Sequence, residues 1–395
     1  MDSHATTPVD SRVLEAMLPF FTEHFGNASS KTHAFGWTAD QAVRRARQQV
    51  ADLIGARPRE IVFTSGATES DNLAVLGAAR TGRERGNHVI TVVTEHRAVL
   101  DSCRQLEQEG MRVTVLPVES DGLLDVEKLV DAFSPDTLLV SVMAANNEIG
   151  VLQPLAAIGR ATRARGILFH TDAAQAAGKV PFDVDDLQVD LVSLTAHKMY
   201  GPKGVGALYV RRGTAVAPMV FGGGHEAGLR SGTLNVPGIV GFGAAAALGA
   251  SVRAEEAACL GTLRDRLYAG IQRKVDGVIL NGSMSARLPQ NLNISFERVD
   301  GDALLTGLVD VAVSPGAACS SVSREPSYVL RALGRSDALA RASIRFGLAR
   351  ATTEADVDRV VDSVAGLVGR LRAGPAFEAF EEEGEGGEST PARWH

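Results

Sequence analysis

Seven short runs rich in Val, Ile, Leu and Thr alternate with helical stretches through the first half of the chain, and this rhythm limits the fold more than any other feature. The runs are Glu60–Thr64, His88–Val93, Arg112–Val118, Thr137–Ala144, Gly166–Thr171, Val189–Thr195 and Gly204–Val210. Helical periodicity falls between them at Gln41–Ile54, Ala98–Gln108, Val126–Ala132 and Leu155–Arg165, several closed by a glycine such as Gly55, Gly110 or Gly166. Strands joined through helices predict a mainly parallel sheet buried on both faces, an α/β fold.

After Gly249 the pattern shifts to a long polar helix, Ala254–Lys274, then strands at Gln290–Phe296, Val311–Ser314 and Ala342–Leu348 and a helix Glu354–Leu371. This predicts a large domain over 9–252 and a smaller α+β domain formed by 1–8 and 253–377. Residues 378–395 carry six Glu among Gly, Ser and Pro and are expected to be a mobile acidic tail.

The chain has 395 residues, 45% hydrophobic, which is ample for a buried core. Its net charge of −7 gives no basic field for nucleic acid or an anionic membrane, so its ligands are expected to be small. No apolar run reaches the roughly 18 residues of a membrane span, and the Ala/Gly run Ile239–Val252 suits a tightly packed buried helix. Three cysteines, Cys103, Cys259 and Cys319, make no disulfide framework, and no signal-peptide pattern opens the sequence; a cytoplasmic protein is expected.

The chemistry concentrates at the expected strand ends. In Thr195–Ala196–His197–Lys198 a strand ends in a lysine, where an amine can form a Schiff base with a carbonyl cofactor. Asp172 closes another strand and would need a cation, such as the ring nitrogen of pyridoxal phosphate. The small-residue turn Thr64–Asn72, with Ala67 and Thr68, offers helix N-terminal amides to a phosphate. Each has an ordinary alternative when taken singly: a solvated lysine, an N-cap aspartate, a capping box. The convergence of Thr68, His96, Asn147, Asp172 and Lys198 on one sheet edge favours a shared site. Cys319 sits in a Gly/Ala/Ser-rich stretch read as an exposed loop, whereas Cys103 and Cys259 fall in helices, where cysteine commonly acts as a small hydrophobe.

These segments, with Asp2–Pro8, Asn146–Gly150, Gly222–Glu226, Arg230–Thr233, Ala318–Ser321, Glu325–Tyr328 and Ser343–Phe346, closely resemble the group I (NifS/IscS-like) cysteine desulfurases, class V aminotransferase relatives of pyridoxal-phosphate fold type I. The resemblance implies that Lys198 holds the cofactor, Asp172 pairs with its ring nitrogen, Gln175 bonds its phenolic oxygen and His96 stacks on its ring. It implies phosphate contacts from Ala67, Thr68, Thr195 and His197, with Thr233 reaching in from a second subunit of a homodimer. Asn147 would lie on the substrate side, Arg345 would clamp the carboxylate of L-cysteine, and Cys319 would take the sulfur as a persulfide. The sulfur would pass to an iron–sulfur scaffold protein or another acceptor, as in tRNA thio-modification, and no metal is implied. Ala28, Pro315 and Gly347 depart from the family pattern without removing a catalytic group. A dinucleotide-binding reading of Gly201–Gly206 fails because the spacing is not G-x-G-x-x-G.

Overall fold

The computed structural model describes residues 1–314 and 325–373. Its large sheet has seven strands: β1 (Ile61–Thr64), β2 (His88–Val92), β3 (Arg112–Leu116), β4 (Thr137–Ser141), β5 (Leu168–Asp172), β6 (Leu191–Thr195) and β7 (Gly206–Val210). Their spatial order is β1-β7-β6-β5-β4-β2-β3. All seven fall within the runs expected from sequence, except that β5 extends one residue further to include Asp172. The pairs among β2, β3, β4, β5 and β6 are parallel. Strand β7 is antiparallel to both neighbours, β1 and β6, because the link Ala196–Val205 is too short for a helical crossover. Strands β2, β4, β6 and β7 are buried throughout, which is why their sequences are mostly apolar, their few polar residues buried, instead of alternating with exposed polar ones.

Helices Ala34–Leu53, Ala67–Gly82, Arg97–Gln108 and Leu155–Ala164 cover the sheet. Cys103 packs in this core, 2% exposed. Helix Val236–Lys274 is one continuous element of 39 residues, where the sequence pattern had suggested a buried helix followed by a separate polar one. Nothing between Gly249 and Ala254 stops a helix; the change from apolar to polar residues marks a change of surroundings along one rod. The expected domain boundary at 252/253 therefore falls inside it. This helix is apolar and long enough to cross a membrane by composition, but half of its most apolar window is buried against the rest of the protein. Cys259, expected to behave as a small hydrophobe, lies on its exposed polar half.

A second sheet, ordered β10-β9-β8, is antiparallel and built from β8 (Val278–Leu280), β9 (Asn291–Phe296) and β10 (Ser343–Gly347). It packs under helix Glu354–Arg372 around its own core of Leu267, Ile271, Ile294, Phe346, Val357 and Val364. Val311–Ser314, expected as a strand, contributes only a single bridge from Ser314 to Arg345, and β8 was not anticipated. The N-terminal segment joins this unit: Asp2 bridges in parallel to Gly347. A Cβ on Gly347 would stand 2.8 Å from the His4 backbone nitrogen, so a glycine here lets that segment lie directly against β10.

Gly206 makes a comparable close approach, since a Cβ there would lie 2.5 Å from the Leu194 carbonyl oxygen and 2.6 Å from Gly66 Cα. Gly206→Ala is expected to cost about 1–3 kcal/mol, seen as a lower urea midpoint at unchanged slope. Gly369→Ala, with open space around a helical position, is expected to hold or raise the midpoint by up to about 1 kcal/mol.

Candidate active site

A cavity of about 630 Å³ opens beyond the carboxyl ends of the parallel strands. Ser65, Gly66, Ala67, Thr68 and Glu69 line it after β1, His96 after β2, and Met143, Ala145 and Asn147 after β4. Asp172, Ala174 and Gln175 come from the end of β5, and Thr195, His197, Lys198, Lys203 and Gly204 from the end of β6 and the turn that follows. His4, Ala5 and Thr6 close one side, and Arg345 of β10 completes the wall. The structure thus brings together Ala67, Thr68, His96, Asn147, Asp172, Gln175, Thr195, His197, Lys198 and Arg345. Thr233 is exposed and lies outside this cavity, and Cys319 and the acidic tail lie outside the described residues.

The helix Ala67–Gly82 begins at Gly66 with no side-chain cap, so its first amides and positive dipole end are available to an anion beside the Thr68 and Thr195 side chains. Lys198 stands in a single 3-10 turn immediately after β6; its Nζ donates to the carbonyls of His4 and, at 2.8 Å, of Ala5. Asp172 Oδ1 accepts the Ala174 N–H at 2.8 Å. Burial raises the Asp172 carboxyl above its ordinary range, while His96 and Lys198 pull it down. A cation placed against Asp172 would offset that burial cost.

His96 caps the helix Arg97–Gln108, its Nδ1 accepting the Ala98 N–H at 3.2 Å, so the neutral ring carries its proton on Nε2. His197 is pushed down to about 4 by burial and by Lys198 and Lys203, so it is a neutral ring at pH 7; its Nδ1 meets Thr6 Oγ1 at 3.2 Å. Gln175 is fixed from behind: Oε1 meets His4 Nδ1 at 2.9 Å and Nε2 donates to the His4 carbonyl at 3.0 Å.

Arg345 is 1% exposed. One terminal nitrogen donates to the Asn147 carbonyl and the other to Asp2 Oδ1, each at 2.9 Å, while Nε has no hydrogen-bond partner. Asn147 Oδ1 is likewise buried and unmatched. Orphaned buried groups of this kind on a cavity wall mark where a polar ligand completes the structure. The donor set fits pyridoxal phosphate: an amine for its aldehyde, a buried carboxylate for its ring nitrogen, and an uncapped helix end with hydroxyls for its phosphate.

His4, Asp2 and Lys203 were not singled out from sequence as site residues. The first two lie in the N-terminal stretch that carried part of the family resemblance, and Lys203 in the Gly-Pro-Lys-Gly turn, so the signal was present but gave no contact partner.

The chain belongs to the aminotransferase class-V family, pyridoxal-phosphate enzymes whose pattern matches residues 1–360, and within that family to the cysteine desulfurases. Cysteine desulfurase IscS of Anaeromyxobacter sp. is 60% identical over 97% of this chain and 95% of its own. Among solved structures, a NifS-like protein has a TM-score of 0.88 at 38% identity, covering 94% of this chain and 99% of that one. SspA in complex with cysteine has a TM-score of 0.78 at 39% identity, covering 88% and 97%.

Two fully buried imidazoles give the protein an acid limit. Burial pushes both His4 and His170 down to about 3, far below the ordinary 6.5. Their contribution is complete above pH 6.5 and is lost as pH falls toward 3, because the unfolded chain takes up protons that the folded one refuses. Replacing His170 by Asn is expected to flatten the fall in unfolding free energy across this window by up to about 1.4 kcal/mol per pH unit, measured by urea unfolding at several pH values. A slope identical to that of the unsubstituted protein would refute this.

Proposed function

We propose that the chain works as a pyridoxal-phosphate cysteine desulfurase that converts L-cysteine to L-alanine and moves the sulfur onto Cys319. The observation that carries this is the meeting of Lys198, Asp172 and Arg345 on one cavity wall in a chain so similar to cysteine desulfurases. When bound, the cofactor supplies an electron-accepting ring conjugated to the substrate's α-carbon.

Arg345 takes the substrate carboxylate, a bidentate task for which a lysine is a poor substitute. Asp172, as a carboxylate, holds the ring-nitrogen proton. The Lys198 amine removes the α-proton and later returns a proton. His96, its Nε2 carrying the proton, exchanges protons beside the substrate sulfur. The Cys319 thiolate forms an S–S bond to that sulfur as the carbon–sulfur bond breaks. The bonding pair stays on carbon, which takes up protons to become L-alanine, and Cys319 is left as a persulfide.

We further propose that the enzyme is a cytoplasmic homodimer. Phe21, Phe25, Phe35 and Trp37 are each more than half exposed on the N-terminal helical region, an apolar surface that a second copy would cover. Thr233 would then reach the partner's phosphate site. An iron–sulfur scaffold protein or another acceptor protein collects the persulfide sulfur. The division into 9–252 and 1–8 plus 253–377 stands as the domain reading, supported by a distinct core around the second sheet, although Leu288, Val329, Leu330, Leu333 and Ala340 pack into the core of the large sheet.

Three variants test the reading together. Lys198→Ala is expected to abolish covalent cofactor trapping by borohydride, and Arg345→Lys to raise KM for L-cysteine about 10- to 100-fold, the loss of a charged hydrogen bond. Cys319→Ser is expected to bind substrate with unchanged cofactor absorbance yet form no persulfide; undiminished sulfide release from it overturns the assignment.

A further inference from the structure

Tyr200 lies two residues after Lys198, and its backbone is left-handed at φ 65°, an uncommon state for an aromatic residue that persists only where the surroundings impose it. What imposes it is visible. The Tyr200 N–H donates to Thr7 Oγ1 at 2.7 Å, its carbonyl accepts the Asp10 N–H at 3.0 Å, and its hydroxyl accepts the Arg350 backbone N–H at 2.6 Å. Lys179 Nζ stands 4.3 Å and Arg350 Cζ 4.2 Å from the centre of its ring. Both cations are held by one carboxylate, Glu256, at 3.1 Å and 2.9 Å, and Arg350 also meets Asp10 at 2.8 Å. Tyr200, Lys179 and Glu256 are all nearly inaccessible.

Apart from Glu256, on helix Val236–Lys274, the members of this cluster lie on four chain segments that also build the cavity. Lys179 follows Asp172 and Gln175, Tyr200 follows Lys198, Arg350 follows Arg345, and Thr7 and Asp10 follow the wall residues His4–Thr6. A buried ion cluster is weak evidence for stability, because well-packed apolar side chains can do as well, but it fixes register where segments must meet in one arrangement. Cation–π contact adds to this, since each cation is attracted to the ring face as well as to its carboxylate.

We propose that Tyr200 is a positioning residue of the desulfurase site. By holding Arg350 and Lys179 over its ring it fixes β10, and with it Arg345, relative to Lys198. It therefore governs how well an amino-acid carboxylate is held while the lysine amine reaches the α-carbon. This rests on the desulfurase reading above.

The test compares Tyr200→Phe and Tyr200→Leu as holoenzymes, measuring KM and kcat for alanine release from L-cysteine and the cofactor absorbance. The leucine variant is expected to raise KM for L-cysteine at least tenfold with the cofactor still trapped on Lys198, and the phenylalanine variant, which keeps the ring and loses only the hydroxyl, to recover most of that loss. A purely structural role lowers the unfolding midpoint and leaves KM alone. If Tyr200→Leu does not fold, Glu256→Gln, which weakens the shared anchor of both cations, is expected to raise KM in the same way. Unchanged KM in whichever of these folds, with an active unsubstituted enzyme, overturns the positioning role alone. An unsubstituted enzyme that releases no alanine from cysteine overturns the desulfurase reading, and the positioning role with it.

Discussion

Parallel strands emerge at the same edge of a sheet, and every other property of this site depends on that constraint. The chain after β2, β4, β5 and β6 must turn at one edge, and His96, Asn147, Asp172 and Lys198 arrive there because each ends or closely follows such a strand. Strand β1 delivers Ala67 and Thr68 to the same edge, since β7 reverses between it and β6. The reversed β7 also explains the compactness of the lysine turn: the hairpin from β6 to β7 leaves Lys198 on a short, tightly bonded link.

Burial sets the electrostatic character of the cavity. Its walls carry Lys198, Lys203 and Arg345 against Asp172 and Glu69, a surplus of positive charge that suits a ligand bearing phosphate and carboxylate groups. Beneath Asp172 lie two further buried carboxyls, Asp71 and Glu95, which burial raises well above their ordinary range, with Asp172 adding to the effect in both. Ser193 and His170 are polar neighbours of Asp71, His170 Nε2 standing 3.7 Å from its Oδ1. Of the three carboxyls, Asp172 lines the cavity, so a ligand cation meets its carboxyl and not those of Asp71 or Glu95.

Much of this was legible in the sequence, for reasons that differ by element. Short runs rich in β-branched and apolar residues marked the seven strands, most plainly the inner ones covered on both faces, and residues at strand ends marked the cavity because the topology gathers them. The continuous helix Val236–Lys274 was not legible, because composition reports surroundings and its surroundings change midway. Strand β8, three half-buried residues at a sheet edge, is too short to carry a period. The Tyr200 cluster was invisible because it joins Asp10, Lys179, Glu256 and Arg350 across most of the chain; pairings at that separation leave no local trace.

The thiols complete the argument about sulfur. A sulfur acceptor must present a thiolate, and burial, with smaller contributions from Glu95 and Glu107, pushes the Cys103 thiol up to about 12. Such a group is ionised in only about one molecule in 10⁵ at pH 7. Cys259 is exposed but sits on the polar half of helix Val236–Lys274, and neither cysteine lines the cavity. The two cysteines among the described residues are thus unsuited, one by ionisation and the other by position, to accept sulfur at Lys198. The segment containing Cys319 is bounded by Ser314, bonded to Asp2 Oδ2, and by Ser327 and Tyr328, bonded to Glu148 and to the Glu95 carbonyl. Asp2 pairs with Arg345, and Glu95 directly precedes His96. The described residues flanking that segment are therefore tied to neighbours of the cavity, which supports the proposal that Cys319 takes the sulfur.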